Sequence, residues 1–192
     1  MVYLTFDDGG NPKWTPQILD VLAKYNAHAT FFVIGQNAER HPELVVSEAQ
    51  AGHTIANHTY SHPRLDGLGR EAFFSQVEHA DQAIRAAIAG TPELESQVVS
   101  CLRPPYGDMD GYTRAYAAEL GYQVVLWTID PLDWTLPGED AIVNAVMKDV
   151  KPGSIILMHD GGGKDRSQTV AALDRILSLL SAQGYRFEPV CR

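Results

Sequence analysis

Short runs rich in β-branched and aromatic residues alternate along this chain with longer stretches whose apolar positions recur every three to four residues. The strand-like runs are Val2–Phe6, Thr30–Ile34, His53–Ala56, Val98–Leu102, Tyr122–Thr128 and Ser154–Met158, and Tyr185–Val190 is expected as a closing edge strand. Helical stripes lie between them. Trp14, Ile18, Val21, Leu22 and Tyr25 form one; Phe73, Val77, Ala80, Ile84 and Ala87 form another. Further helices are expected over Pro42–Ala51, Tyr112–Leu120 and Ala141–Val150, with a last one on the stripe Val170, Leu173, Leu177, Leu180. Seven strands alternating with helices predict parallel βα units, because parallel neighbours need crossover connections. The expected fold is α/β, a closed or nearly closed barrel, with an open doubly wound sheet as the competing arrangement.

The 192 residues suffice for one well-filled core, so residues 1–192 are expected to form a single domain. A hydrophobic share of 45% with 20% charged residues is that of a globular chain, and no apolar run is long enough to span a bilayer. The net charge of −9, without a basic cluster, excludes nucleic acid as a partner and favours neutral or cationic substrates over anionic polymers. No signal peptide is present. With Met1 directly before the first strand, any export signal is expected outside the given chain. Cys101 and Cys191 lack metal-type spacing and read either as a disulfide pinning the C-terminus or as two buried thiols, the bridge being favoured in a secreted protein.

Five polar clusters follow predicted strands. The first strand ends in Asp7-Asp8-Gly9-Gly10, where a turn can bring two carboxylates to one place; alone, this reads equally as a solvated Asp-Gly turn. His58-Thr59-Tyr60-Ser61-His62 follows the third strand. Histidines four apart share one face of a helical turn and can ligate a cation, although an isolated pair is more often structural. Arg103-Pro104-Pro105-Tyr106-Gly107 follows the fourth strand as a stiff loop that can fix a backbone N–H while Arg103 reaches a carboxylate. Asp130-Pro131-Leu132-Asp133-Trp134 follows the fifth, and His159-Asp160 ends the sixth, placing an imidazole at the rim where an aspartate can hold its proton, a satisfied core histidine being the alternative. Parallel α/β folds build their sites at these C-terminal strand ends, so one shared site explains the five better than five separate bland causes. His28, His41, His53 and His79 have no such pairing and are expected to be structural.

TFDDG, HTYSH, RPPYG, DPLDW and IILMHD, in this order from Thr5 to Asp160, resemble the five motifs of the polysaccharide deacetylases, carbohydrate esterase family 4. The resemblance implies a distorted (β/α)7 barrel and metal-dependent hydrolysis of acetyl groups from sugars. It implies that Asp8, His58 and His62 hold one divalent metal, zinc first and cobalt or nickel as alternatives. It makes Asp7 the general base, oriented by Arg103, and His159 the general acid, held by Asp133. The Tyr106 N–H would stabilise the oxyanion, while Trp134 and Leu157, with Pro104 beside them, would meet the substrate. One departure is Gly10-Asn11-Pro12, where the family often has proline directly after TFDDG. Gly161-Gly162-Gly163 is expected to add local mobility.

The resulting expectation is a secreted, monomeric deacetylase of acetylated polysaccharide or oligosaccharide. N-deacetylation of chitin oligomers, with side activity on O-acetyl esters, leads; acetylxylan esterase activity is the alternative. A catalytically inactive carbohydrate-binding protein is the rival of another class, and a metal-dependent amidase for small non-sugar amides a third.

Overall fold

The structure, a computed structural model, describes residues 1–191. Six strands form one parallel sheet: β1 (Tyr3–Gly9), β2 (Ala29–Val33), β3 (Thr54–Asn57), β4 (Val98–Leu102), β5 (Gln123–Val124) and β6 (Ile155–His159). Their order is β5-β4-β3-β2-β1-β6, so the first strand lies beside the last and all strand C-termini share one end. The helices are α1 (Thr15–Lys24), α2 (Gly35–Arg40), α3 (Pro42–Gln50), α4 (Arg70–Ile88), α5 (Gly111–Glu119), α6 (Glu139–Asp149) and α7 (Ser167–Ala182). This is a single-domain, curled half-barrel of the distorted barrel type. No described helix is long and apolar enough to cross a membrane.

Side-chain alternation sorts β1 into two faces. Leu4 and Phe6 pack outward with Ile18 and Leu22 of α1 and with Ile176 and Leu177 of α7 in the main core. Thr5 and Asp7 point the other way, into the concave side, where Thr5 Oγ1 donates to the Ile156 carbonyl at 2.7 Å. β2 is buried along its whole length, as a parallel strand covered on both faces should be. Inside the curl, Phe32, Ala56, Val99, Cys101, Val125 and Cys191 form a second, smaller cluster.

Two predicted strands differ. The expected Tyr122–Thr128 strand shrinks to Gln123–Val124 because buried Arg103 takes the carbonyls a neighbour would use: Nε donates to Val125 O at 3.1 Å and Nη2 to Leu126 O at 3.2 Å. Past that point the chain crosses to β6, where Leu157 N–H donates to Ile129 O at 2.9 Å. The expected closing strand Tyr185–Val190 is reduced to a bridge between Val2 and Phe187, with Val190 N–H turned to Thr30 Oγ1 at 3.1 Å. Pro189 supplies no N–H for a ladder there. Helix α2 was not expected; it begins at Gly35, whose close approach to the Ala80 backbone leaves no room for a side chain.

Cys101 and Cys191 are joined as a disulfide across 90 positions, tying the C-terminal segment to β4 inside the curl. Opening it frees a long loop in the unfolded chain. Cys101→Ser with Cys191→Ser should therefore lower unfolding free energy by about 2–5 kcal/mol in a denaturant titration. Thiol titration of the denatured, unreduced protein should find neither sulfhydryl free.

Candidate active site

The site begins where β1 breaks its own alternation. Asp8 has φ 70° and the pairing with β2 slips between Asp7 and Gly9, so consecutive carboxylates turn toward one cleft. A left-handed non-glycine residue costs about 1–3 kcal/mol and persists only where its surroundings impose it. Among the described non-glycine residues with positive φ, all but Asn26 lie at the end of a strand or in the segment after one: Asp8 at the end of β1, then Thr59, His62, Tyr106, Leu132 and Leu136.

Asp7 is fixed from behind. Its Oδ1 accepts from Arg103 Nη1 at 2.7 Å, and the same nitrogen donates to Thr5 Oγ1 at 2.7 Å. Arg103 is fully buried and lies 4.1 Å over the Phe32 ring. Burial presses its pKa down against the pull of Asp7, but a guanidinium starts so high that it stays charged.

Three donor atoms converge beside this pair. His58 Nε2 and His62 Nε2 lie 3.5 and 3.2 Å from Asp8 Oδ1, and all three fall within 4.8 Å of one another. The His58 Nδ1–H donates to the Arg103 carbonyl at 2.7 Å, which leaves the Nε2 lone pair facing Asp8. Asp8 Oδ1 is buried with no hydrogen-bond partner. Burial works to raise Asp8, yet the neighbouring His58, His159 and His62 hold it well below the usual carboxylate range. Burial likewise opposes a charge on His58, and Asp7 and Asp8 overcome it and raise its pKa; burial and His58 together lower His62. Two neighbouring carboxylates, Asp7 buried and Asp8 mostly so, favour a positive charge between them, and an orphaned oxygen with two imidazole nitrogens fits a divalent cation.

His159 stands on the other side. Its Nδ1 donates to Asp133 Oδ1 at 2.7 Å, while Asp133 Oδ2 accepts from the His159 backbone N–H at 3.0 Å and from Thr169 Oγ1 at 2.8 Å. Burial alone would discharge this imidazole; Asp133, then Asp7 and Asp8, push its pKa up to about 9. His159 is thus an imidazolium at neutral pH, with Nε2 turned toward the cleft. Its partner is Asp133 and not Asp160. Asp160 turns away, buried, to hydrogen-bond Thr15, and its N–H donates to Asp7 O at 3.2 Å. Burial raises the Asp160 pKa, and it raises that of the equally buried Glu48, which has no hydrogen-bond partner.

A cleft of about 560 Å³ joins these groups. Asp7, Asp8, His58, His62, Tyr106, Trp134, Leu157 and His159 line it, and Arg103 and Asp133 lie behind the wall. Trp134 is 54% exposed at the rim and Leu157 only 3% at the floor. Pro104, expected against the substrate, is buried beneath its loop and does not line the cleft; its carbonyl holds the turn by accepting from Gly107 N–H at 3.1 Å. Gly161 and Gly162 are not there for mobility. A side chain on the first would strike the Asp8 carbonyl, and on the second, at φ 71°, the Asp8 carboxylate. Sequence reasoning missed Ile34, Trp127 and Arg166 as lining residues and Thr169 as the support of Asp133. Only Thr5 carried a signal, being two positions before Asp7 on the same strand face. The Gly10-Asn11-Pro12 departure serves local structure: Asn11 Oδ1 accepts from the N–H groups of Lys13 and Trp14 at the entry to α1.

The site thus joins a two-histidine, one-aspartate cluster with the Asp7–Arg103 and His159–Asp133 pairs at the strand ends of a curled parallel sheet, where barrel-type enzymes build their active sites. Residues 1–125 match the model of the polysaccharide deacetylase family, and the chain belongs to that family. It is 46% identical over 193 residues to a chitooligosaccharide deacetylase of Sinorhizobium fredii, covering 96% of this chain and 87% of that one. It is 44% identical over 194 residues to a peptidoglycan-N-acetylglucosamine deacetylase of Bacillus cereus, covering 99% and 86%. A solved peptidoglycan N-acetylglucosamine deacetylase in complex with a naphthalenyl N-oxidanyl-benzamide superposes with a TM-score of 0.90 at 36% identity, covering 98% of this chain and 85% of that one. The protein is a carbohydrate deacetylase of carbohydrate esterase family 4.

Because Gly162 packs against the Asp8 carboxylate, Gly162→Ala should weaken cobalt or zinc binding about tenfold or more by calorimetry, while the circular dichroism spectrum stays unchanged. His62→Ala should weaken it further.

Proposed function

We propose that this protein is a metal-dependent N-deacetylase of chitooligosaccharides, with side activity on O-acetyl esters. The observation that carries this reading is the meeting, in one cleft, of the orphaned Asp8 oxygen and two imidazole nitrogens with a base on one side and a charged imidazole on the other. Asp8, His58 and His62 would hold a divalent cation, which would supply Lewis acidity toward the acetyl carbonyl and toward water. Asp7, kept in place by Arg103, takes a proton from that water. The Tyr106 N–H donates to the oxyanion that develops on the acetyl group. His159, charged through Asp133, hands a proton to the departing amine nitrogen, without which an amine does not leave. Leu157 and Trp134 offer the apolar surface that the acetyl methyl and the sugar ring need.

The relatives' names support N-acetylglucosamine polymers as the substrate class, and the net charge of −9 favours a neutral glycan whose product is cationic. Peptidoglycan is the second reading, favoured by the 44% identical relative that bears its name. Acetylxylan is the ester alternative. The filled set of acid, base and donor residues argues against an inactive binding protein. The disulfide supports secretion into an oxidising compartment.

Acetate release from chitin pentamer, acetylxylan and peptidoglycan, each after chelation and after adding zinc or cobalt, tests the reading. Metal-restored release from the pentamer is expected to be the fastest, and release from acetylxylan alone would make the enzyme an esterase. Asp7→Asn should abolish nearly all turnover with metal still bound. The His159 imidazolium is required, so activity persists below its pKa and falls as pH rises through it. The alkaline limb of kcat is expected at or below about pH 9, since a nearby cation lowers the value. Asp133→Asn, which removes the main support of that charge, should move the limb down by about one unit or more.

A further inference from the structure

The residues His62, Tyr106 and Arg64 stack at the mouth of the cleft. The Tyr106 ring meets the His62 ring edge-on with centroids 4.7 Å apart, and the Arg64 guanidinium lies 4.7 Å over the same Tyr106 ring. Arg64 Nη1 also donates to the Asp108 carboxylate. Arg64 follows His62 by two residues and Asp108 follows Tyr106 by two, so one side chain reaches from the histidine loop and fastens the proline loop at two points. Near the loop tips the other tie is a long 3.5 Å hydrogen bond from Gly67 N–H to Asp110.

Both residues on the far side of this bracket are strained. His62 has φ 60° and Tyr106 φ 62°, a conformation that side chains with a Cβ keep only under tertiary constraint. The Tyr106 side chain is 57% exposed, so burial does little to hold it. The guanidinium above it and the ion pair beside it replace that missing packing.

We infer that Arg64 is a positioning residue for hydrolysis: by bracketing Tyr106 and Asp108 it fixes the Tyr106 N–H where the oxyanion develops and sets the angle of the His62 ring. This rests on the proposed role of the Tyr106 N–H. Arg64 itself is not among the cleft-lining residues, so its effect travels through Tyr106. A lysine in its place keeps the charge for Asp108 and loses the flat stacking surface.

The test uses the metal-loaded enzyme with chitin pentamer, and amide hydrogen exchange by mass spectrometry on the same variants. Exposed stacking and ion pairing are each modest, so Arg64→Ala should lower kcat about three- to tenfold with KM within about twofold. Exchange over Tyr106–Asp108 should accelerate. Arg64→Lys should recover part of kcat, and Asp108→Asn should lose less than Arg64→Ala. In a Tyr106→Ala background, which removes the stacking and leaves the Asp108 ion pair, adding Arg64→Ala should cost less in kcat than it does in the unmodified enzyme. Unchanged kcat and exchange in Arg64→Ala would overturn the inference. So would a rise in KM alone, which marks direct sugar contact, or a full penalty persisting without the Tyr106 ring. Faster exchange in Arg64→Ala, with no metal-restored acetate release by the unmodified enzyme, would leave the bracket standing and overturn the functional reading instead.

Discussion

A guanidinium with no exposed surface needs its charge answered and its donors filled, and Arg103 meets both needs with parts drawn from three strands. Thr5 and Asp7 of β1 take Nη1; the carbonyls beyond β5 take Nε and Nη2; Phe32 of β2 lies under the plane. Its own carbonyl orients His58, so one residue of β4's end connects the base, a proposed metal ligand and the seam of the half-barrel. β5 stops where Arg103 takes those carbonyls, and the chain joins β6 only beyond them, in a bridge between Ile129 and Ile156. Carbonyls spent on Arg103 are unavailable to a neighbouring strand.

The electrostatics divide the cleft into two halves that depend on each other. Asp7 and Asp8 concentrate negative charge on one wall and, besides Asp133, help keep His159 charged on the other. A cation among Asp8, His58 and His62 would relieve the first wall without discharging the second, because Asp133 supports His159 independently. For the proposed roles, that arrangement would keep an acid and a base ready in one pH range. Burial pushes both Asp160 and Glu48 toward the neutral form, which lessens the negative charge behind the first wall.

Much of this was legible because parallel strands announce themselves through buried β-branched runs and end where chemistry gathers. The five polar clusters stand at those ends, and the alternation of β1 correctly separates Phe6 from Asp7. What escaped depends on partners remote in sequence. Nothing local in Tyr122–Thr128 records that Arg103 will claim its carbonyls, and in Tyr185–Val190 the edge-limiting Pro189 was legible while the Val190 N–H bond to Thr30 was not. The left-handed backbone at Asp8, His62 and Tyr106 is equally silent, since none of them is glycine. For the glycines after Asp160 the residue type was visible but its reason was not: closeness to Asp8, which only the folded chain defines.

The placement of β1 between β2 and β6, with the tail bridging Val2, has a consequence for biogenesis. Asp7 and Asp8 lie in the first strand, yet their far neighbour comes from Ile155–His159 and the seal beneath Arg103 from Cys191. During synthesis, the acidic end of β1 therefore waits, solvated, until β6 and the segment around Cys191 have arrived. Its carboxylates are enclosed only by parts of the chain made long after them.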